Sequence, residues 1–137
     1  MTNRRRFIKN TSLGAVGLTF LSKKIFAEEE IKKITILHTN DMHSRIEPFK
    51  SGSYKDFGGM AQRSAIIKEI RERENNVLLF DAGDIFQGTP YFNFFGGELE
   101  LKLMSEMKYD AAVLGNHDFD NGLIGLKKQL QHTTFPF

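Results

Sequence analysis

The sequence predicts an α/β fold, in which short strands alternate with helices along most of the chain. The hydrophobic spacing carries this prediction, because it changes repeatedly between the period of a strand and that of a helix. In addition, the first three apolar runs each end in a cluster of polar residues, as strands do where they leave a parallel sheet. The predicted order is strand, helix, strand, helix, strand, helix, strand.

The first predicted strand covers residues 31–39, which alternate and then become apolar. A long loop is predicted over 40–59, because this segment contains Pro48 and several glycine and serine residues. Loops of this length in a compact domain are usually functional or mobile. Residues 59–75 predict an amphipathic helix, since isoleucine and arginine side chains fall on opposite sides of it.

The second predicted strand is the apolar run at 77–80, and the aromatic stretch at 86–95 predicts a turn-rich segment. A helix is predicted over 98–108, because leucine and methionine recur there at a spacing of four residues. The remaining predictions are a strand over 110–114, a helix over 122–132 and a strand that begins at 133.

The charge of the chain is unevenly distributed. Residues 1–27 carry six basic side chains and no acidic one, and since the net charge of all 137 residues is +2, the remaining residues sum to −4. This acidic body argues against a nucleic-acid-binding surface. The absence of cysteine excludes disulfides, thiolate metal sites and cysteine nucleophiles. Any metal must therefore be bound by carboxylate, amide or imidazole groups.

Residues 1–27 predict a signal peptide. A basic start precedes an apolar stretch at 13–21 that is too short to span a bilayer, and Ala27 is a plausible cleavage-site residue. The arginines at 4–6, followed by Phe7, resemble a twin-arginine export signal; an ordinary secretory signal is the alternative. We therefore expect transport by the twin-arginine translocation machinery, a periplasmic or extracellular location, and a mature chain that does not span the membrane.

Three polar clusters at the predicted strand ends supply the donors that divalent metal ions prefer. Asp41 and His43 are two residues apart, so on an extended segment their side chains share one side and can chelate one ion. The carboxylate of Asp84 can bridge two ions, and Asn116 offers a carbonyl oxygen to the second. Two such ions can hold a hydroxide that attacks a phosphoryl group.

A histidine–carboxylate pair follows the last of these ligands. His117 comes directly after Asn116, and Asp120 lies three residues further along. On a turn, this spacing lets the carboxylate accept a hydrogen bond from the imidazole, which fixes its tautomer and raises its basicity. The protonated ring can then stabilise negative charge or protonate a leaving oxygen.

Taken together, these clusters resemble the signature of the metallophosphoesterase (calcineurin-like) superfamily. The longer strings at 36–41, 81–84 and 116–120 resemble its 5′-nucleotidase branch, and the match runs from about Ile34 to the last residue. The resemblance implies the N-terminal half of a four-layer αββα sandwich with a two-metal site. It also implies the site residues: Asp41, His43, Asp84 and Asn116 as metal ligands, and His117 and Asp120 as the catalytic dyad.

The resemblance further implies an exported hydrolase that releases phosphate from nucleoside monophosphates, a small-molecule rather than a polymer substrate. Because histidines are ligands, zinc or manganese is expected as the pair of metal ions. In the family, further histidine and glutamine ligands follow downstream, so we expect residues 28–137 to be a truncated N-terminal part of the metallophosphatase domain. The alternatives are an inactive fragment that binds metal weakly, or a relative acting on cyclic nucleotides, nucleotide sugars or thiosulfate esters.

Overall fold

The computed structural model describes residues 33–137. The predicted signal peptide and the start of the first predicted strand lie outside this range. The described residues contain a parallel sheet of three strands, in the order β1-β2-β3, which confirms the α/β prediction. The strands are β1 (Thr35–Thr39), β2 (Val77–Asp81) and β3 (Ala111–Ala112).

The register of the sheet aligns the ends of the strands. Thr39 at the end of β1 pairs with Asp81 at the end of β2, which in turn pairs with Ala112 of β3. Because all three strands run in the same direction, the segments that follow them leave the sheet at one edge. The predicted polar clusters lie in these segments.

Within residues 33–137, four helices connect and follow the strands, together with a single turn of 3₁₀ helix at His117–Phe119. The aromatic stretch predicted to be rich in turns contains one of them, a short helix in which Pro90 occupies the first turn and Gly96 ends it in a left-handed conformation. The helices are α1 (Met60–Arg73), α2 (Pro90–Phe95), α3 (Glu98–Glu106) and α4 (Gly122–Leu130).

The strand predicted from residue 133 is not formed. Its segment lies beside β3, and the backbone N–H of Ala112 donates a hydrogen bond of 3.0 Å to the carbonyl of Pro136. Proline has no N–H with which to continue such a ladder. Phe135 instead packs its ring 5.9 Å from that of Tyr109. The segment is therefore attached mainly through side-chain packing.

The two faces of the sheet differ in burial. On the inner face, Leu79 is 1% exposed and belongs to a core that includes Ile67 of α1 and Met104 of α3. On the outer face, Ile36 is 62% exposed and Leu78 is 37% exposed. The inner face thus carries the core of the described residues. Within residues 33–137, no helix combines the length and apolar character needed to cross a membrane.

Candidate metal centre

Asp41, His43 and Asp84 converge at the edge of the sheet. The first two follow β1 and the third follows β2, and one potential ligand atom from each lies within 4.8 Å of the others. The closest atoms of the first pair, His43 Nε2 and Asp41 Oδ1, are 3.8 Å apart. Separations of this size allow one cation to contact all three side chains after small rotations.

Backbone hydrogen bonds join the segment after β1 to the segment after β2. The N–H of Asp41 donates to the carbonyl of Gly83 at 2.9 Å, and the N–H of His43 donates to the carbonyl of Asp84 at 3.0 Å. These bonds join the two segments beyond the last paired residues of β1 and β2, where the backbone is no longer extended. The positions of the three ligands therefore depend on this contact between the two segments.

The backbone at these three residues is strained. Asp41, His43 and Asp84 have φ angles of 49°, 46° and 56°, in the left-handed region that residues with a Cβ seldom adopt. Aspartate and histidine are among the residues found in this region most often, and the hydrogen bonds to Gly83 and Asp84 hold them in it. Strain of this kind accumulates where side chains must be held at a functional position.

The segments after β2 and β3 approach so closely that glycine is required at both. A Cβ atom on Gly83 would lie 2.5 Å from the backbone nitrogen of Gly115, and a Cβ atom on Gly115 would overlap the carboxylate of Asp84. Because Gly83 and Gly115 have no side chains, the two segments can approach each other closely. This close approach brings Asp84 next to the residues after β3.

Asn116 lies in the segment that docks against Asp84. The backbone N–H of its neighbour His117 donates a 2.9 Å hydrogen bond to Asp84 Oδ1. Asn116 itself is exposed to solvent and is not part of the core. The structure thus places the fourth predicted ligand on the segment that contacts the carboxylate predicted to bridge two ions.

His117 and Asp120 form the pair that their spacing predicted. His117 Nδ1 lies 3.0 Å from Asp120 Oδ2, across the 3₁₀ turn. This hydrogen bond, together with the charge of Asp120 and smaller effects of Asp84 and Asp118, raises the pKa of His117 above its ordinary value. The ring is 5.2 Å from the ring of His43, so the pair lies beside the ligand cluster.

A further aspartate organises the site. Asp118 is 2% exposed, and its carboxylate accepts hydrogen bonds from the backbone N–H groups of Asp84, Ile85, Phe86 and Gly115. The sequence indicated this residue only as a member of a motif, and assigned it no role. Most of its partners lie more than thirty residues away along the chain, so no local pattern could have identified them.

Beneath the cluster lies a second buried carboxylate, that of Asp81. It accepts hydrogen bonds from the Thr39 hydroxyl at 2.6 Å and from the N–H of Gly83 at 2.9 Å, and the Thr39 hydroxyl also contacts Tyr109 Oη at 2.8 Å. Burial raises the pKa of Asp81 despite these bonds. This network fixes the ends of β1 and β2 below the site.

The donor chemistry of the site fits a divalent metal ion. Two carboxylates and one imidazole make up the three-residue cluster, and an amide oxygen is available from the adjacent segment. Such a set suits zinc, manganese and other hard or borderline divalent ions. The histidine and aspartate of the adjacent pair provide a proton donor or acceptor next to that position.

Comparison with known proteins defines the class of protein to which this fold and site belong. A family model described as calcineurin-like phosphoesterase matches residues 34–137, and the chain belongs to this family. Curated relatives of the chain include proteins named 5′-nucleotidases. The chain is 49% identical over 110 residues to a snake venom 5′-nucleotidase of Crotalus adamanteus and 44% identical over 111 residues to a 5′-nucleotidase of Homo sapiens. Each alignment covers 76% of this chain and 19% of the relative.

Solved structures give the same result. The 5′-nucleotidase precursor of Thermus thermophilus has a TM-score of 0.69 at 40% identity, over 74% of this chain and 21% of that one. The NAD nucleotidase of Haemophilus influenzae has a TM-score of 0.69 at 35% identity, over 75% and 20% respectively. These similarities confirm the predicted family and its 5′-nucleotidase branch. The chain spans about a fifth of the length of these relatives.

Proposed function

We propose that this chain forms the N-terminal part of an exported, metal-dependent hydrolase that releases phosphate from nucleoside monophosphates. The observation that carries the proposal is the convergence of Asp41, His43 and Asp84 beside the pair formed by His117 and Asp120. Relatives named 5′-nucleotidases, at 44–49% identity, support the choice of substrate class. The sequence of residues 1–27 supports export, by the twin-arginine route.

Each metal-binding residue has a distinct part in this proposal. Asp41, His43 and Asp84 would hold one divalent ion, and Asp84 and Asn116 would hold a second. Zinc or manganese suits a site with an imidazole ligand. When bound, such ions supply positive charge that stabilises the negative charge of a phosphoryl group during displacement. The hydrogen bond from the N–H of His117 to Asp84 keeps the two parts of the site together.

The His117–Asp120 pair handles a proton. Asp120 accepts a hydrogen bond from Nδ1, so Nε2 is the imidazole nitrogen that would be available to a substrate. Since the pKa of His117 is raised, the ring carries a proton at a higher pH than a free histidine does. A protonated Nε2 can donate to the leaving oxygen of the nucleoside, and Asp120 holds the ring in place while it does so.

We also propose that residues 28–137 are the N-terminal part of a larger metallophosphatase domain. The outer face of the sheet supports this proposal, because Ile34, Ile36 and Leu78 are exposed there. Apolar side chains grouped on one sheet face usually pack against another layer. A second sheet against this face would give the four-layer sandwich that the resemblance implies, and would bring further metal ligands to the site.

The test compares two proteins. One is the 137-residue chain, and the other is the product of any in-frame continuation of its gene after codon 137. With manganese or zinc added, we expect the longer protein to release phosphate from AMP, and the shorter one to bind metal weakly without measurable turnover. NAD and a cyclic nucleotide serve as competing substrates. Hydrolysis of one of these in preference to AMP would contradict the substrate assignment, and no metal-dependent phosphate release at all would contradict the activity.

A further inference from the structure

Asp118 occupies the point at which the segments after β2 and β3 meet. Its side chain is 2% exposed. Among the described residues it has no salt-bridge partner, so no basic side chain compensates its charge. Backbone amides do so instead, in an arrangement that resembles the concave amide groups that bind anions in other proteins. The carboxylate here belongs to the chain itself.

The four hydrogen bonds of this carboxylate connect two separate segments. Oδ1 accepts from Ile85 at 2.9 Å and from Phe86 at 3.0 Å, both after β2. Oδ2 accepts from Asp84 at 3.0 Å and from Gly115 at 2.8 Å, which follow β2 and β3 respectively. One oxygen therefore links the residue proposed to bridge two ions to the residue that precedes Asn116.

The hydrogen bond from the N–H of Asp84 to Asp118 helps to hold the backbone of Asp84. This residue has a φ angle of 56°, a conformation that it keeps only while its surroundings hold it there. Its N–H is held by Asp118, its carbonyl accepts from His43, and its Oδ1 accepts from the N–H of His117. Removing the first of these bonds frees the residue to relax and to turn its carboxylate away from the cluster.

We propose that Asp118 is a positioning residue of the metal centre, which sets the distance between Asp84 and Asn116 without touching the metal. This inference rests on the proposed function, because it presumes that the cluster binds divalent ions. Replacing a residue that orients the ligands of a metal without binding the metal itself typically lowers metal affinity by about 10–100-fold. Asp118 acts in this way through backbone amides.

The test uses Asp118→Asn in the longer protein encoded by an in-frame continuation of the gene, with manganese as the probe, because the 137-residue chain alone is expected to bind metal weakly. Asparagine has one acceptor oxygen and an NH₂ group that cannot accept, so it cannot satisfy four amide donors. We expect manganese affinity, measured by calorimetry, to fall about 10–100-fold. Hydrogen exchange followed by NMR should show faster exchange at the amides of residues 84–86 and 115. Asp118→Glu keeps the carboxylate and should restore most of the affinity.

Asp110→Asn is the control. The Asp110 carboxylate also accepts a backbone N–H, that of Leu79 in β2 at 2.7 Å, but it makes no hydrogen bond to the segments after β2 and β3 that carry the ligand residues. We expect this variant to lower thermal stability while manganese affinity stays within about threefold of wild type, which separates positioning of the metal site from general loss of stability. Equal losses of affinity in both Asn variants would overturn the role of Asp118.

Two outcomes keep the inference independent of how well the variant folds. If the amides of residues 84–86 and 115 exchange in the wild-type chain as fast as those of exposed loops, Asp118 does not hold them and the inference is wrong. A wild-type longer protein that binds no manganese would overturn the proposed metal site itself. Manganese binding that is the same in wild type and Asp118→Asn would overturn only the positioning role.

Discussion

The carboxyl edge of the sheet and its outer face differ in how closely other described residues pack against them. At the edge, backbone and side-chain hydrogen bonds join the segments after all three strands, and ligand residues are held even in strained conformations. On the outer face, apolar side chains such as Ile36 remain exposed. The comparison shows that the described residues hold Asp41, His43 and Asp84 in place through their own hydrogen bonds, while one face of the supporting sheet has no packing layer within the described range.

The largest effect is expected from His117→Asn in a catalytically active longer protein. General acid or base catalysis contributes about 10²–10⁴-fold to a rate, so we expect kcat to fall within that range. Metal content should remain unchanged, because His117 touches the ligand cluster only through its backbone N–H and ring edge. Phosphate release and elemental analysis measure the two quantities. Loss of metal in this variant would make His117 a ligand and extend the metal centre beyond the proposed set.

The next prediction compares neighbouring leucines on opposite faces of β2. Leu79 is buried in the core, so Leu79→Ala should lower the free energy of unfolding by about 2–5 kcal/mol. Leu78 faces outward, and Leu78→Ala should cost less than about 1 kcal/mol in the 137-residue chain. Urea denaturation measures both values. Similar costs for the two variants would show that the outer face is already packed, for example by self-association.

Gly115→Ala tests how closely the strand-end segments must approach. The new Cβ would overlap the carboxylate and backbone of Asp84, so we expect a loss of about 2–3 kcal/mol in unfolding free energy together with weaker manganese binding. Gly52→Ala is the control, because Gly52 has a φ angle of 79° but open space around it. It should cost about 1 kcal/mol, from backbone strain alone. A smaller loss at Gly115 than at Gly52 would indicate that the segments separate easily.

The edge of the sheet was also the part that could be predicted from sequence. Asp41, His43 and Asp84 each follow a strand pattern, and the carboxyl ends of parallel strands meet at one edge, so their convergence followed from local patterns and topology. The role of Asp118 could not be predicted, because its partners are backbone amides whose positions depend on the folded register. Backbone donors are present at nearly every residue and carry no sequence signal.

The strand predicted from residue 133 failed for a related reason. Thr133, Thr134 and Phe135 favour extended structure, but a strand also needs a partner ladder, and Pro136 lacks the N–H to extend one beside β3. The exposure of Ile36 and Leu78 likewise could not be predicted from the apolar pattern of their strands. An apolar strand indicates that both faces are covered, and does not indicate whether the covering layer lies within the same stretch of chain.

The smallest effect concerns the ionisation of His117 at the edge of the site. The hydrogen bond and charge of Asp120 raise the pKa of His117, so the folded chain binds this proton more readily than the unfolded chain does. The resulting stabilisation is present below the ordinary histidine pKa and is lost as the pH rises through the raised value. Asp120→Asn removes the carboxylate and should lower the pKa of His117.

An NMR titration of the His117 ring in the metal-free chain measures this shift directly. Because the side chains of His117 and Asp120 are 38% and 37% exposed, the difference between wild type and Asp120→Asn should shrink as salt is added. Asp110→Asn is the control, since its carboxylate accepts the N–H of Leu79 within the sheet, away from the imidazole. If the Asp120 variant titrates at the wild-type pKa or above it, another group holds the proton on His117. The edge of the sheet would then owe its proton chemistry to the neighbouring carboxylates of Asp84 and Asp118.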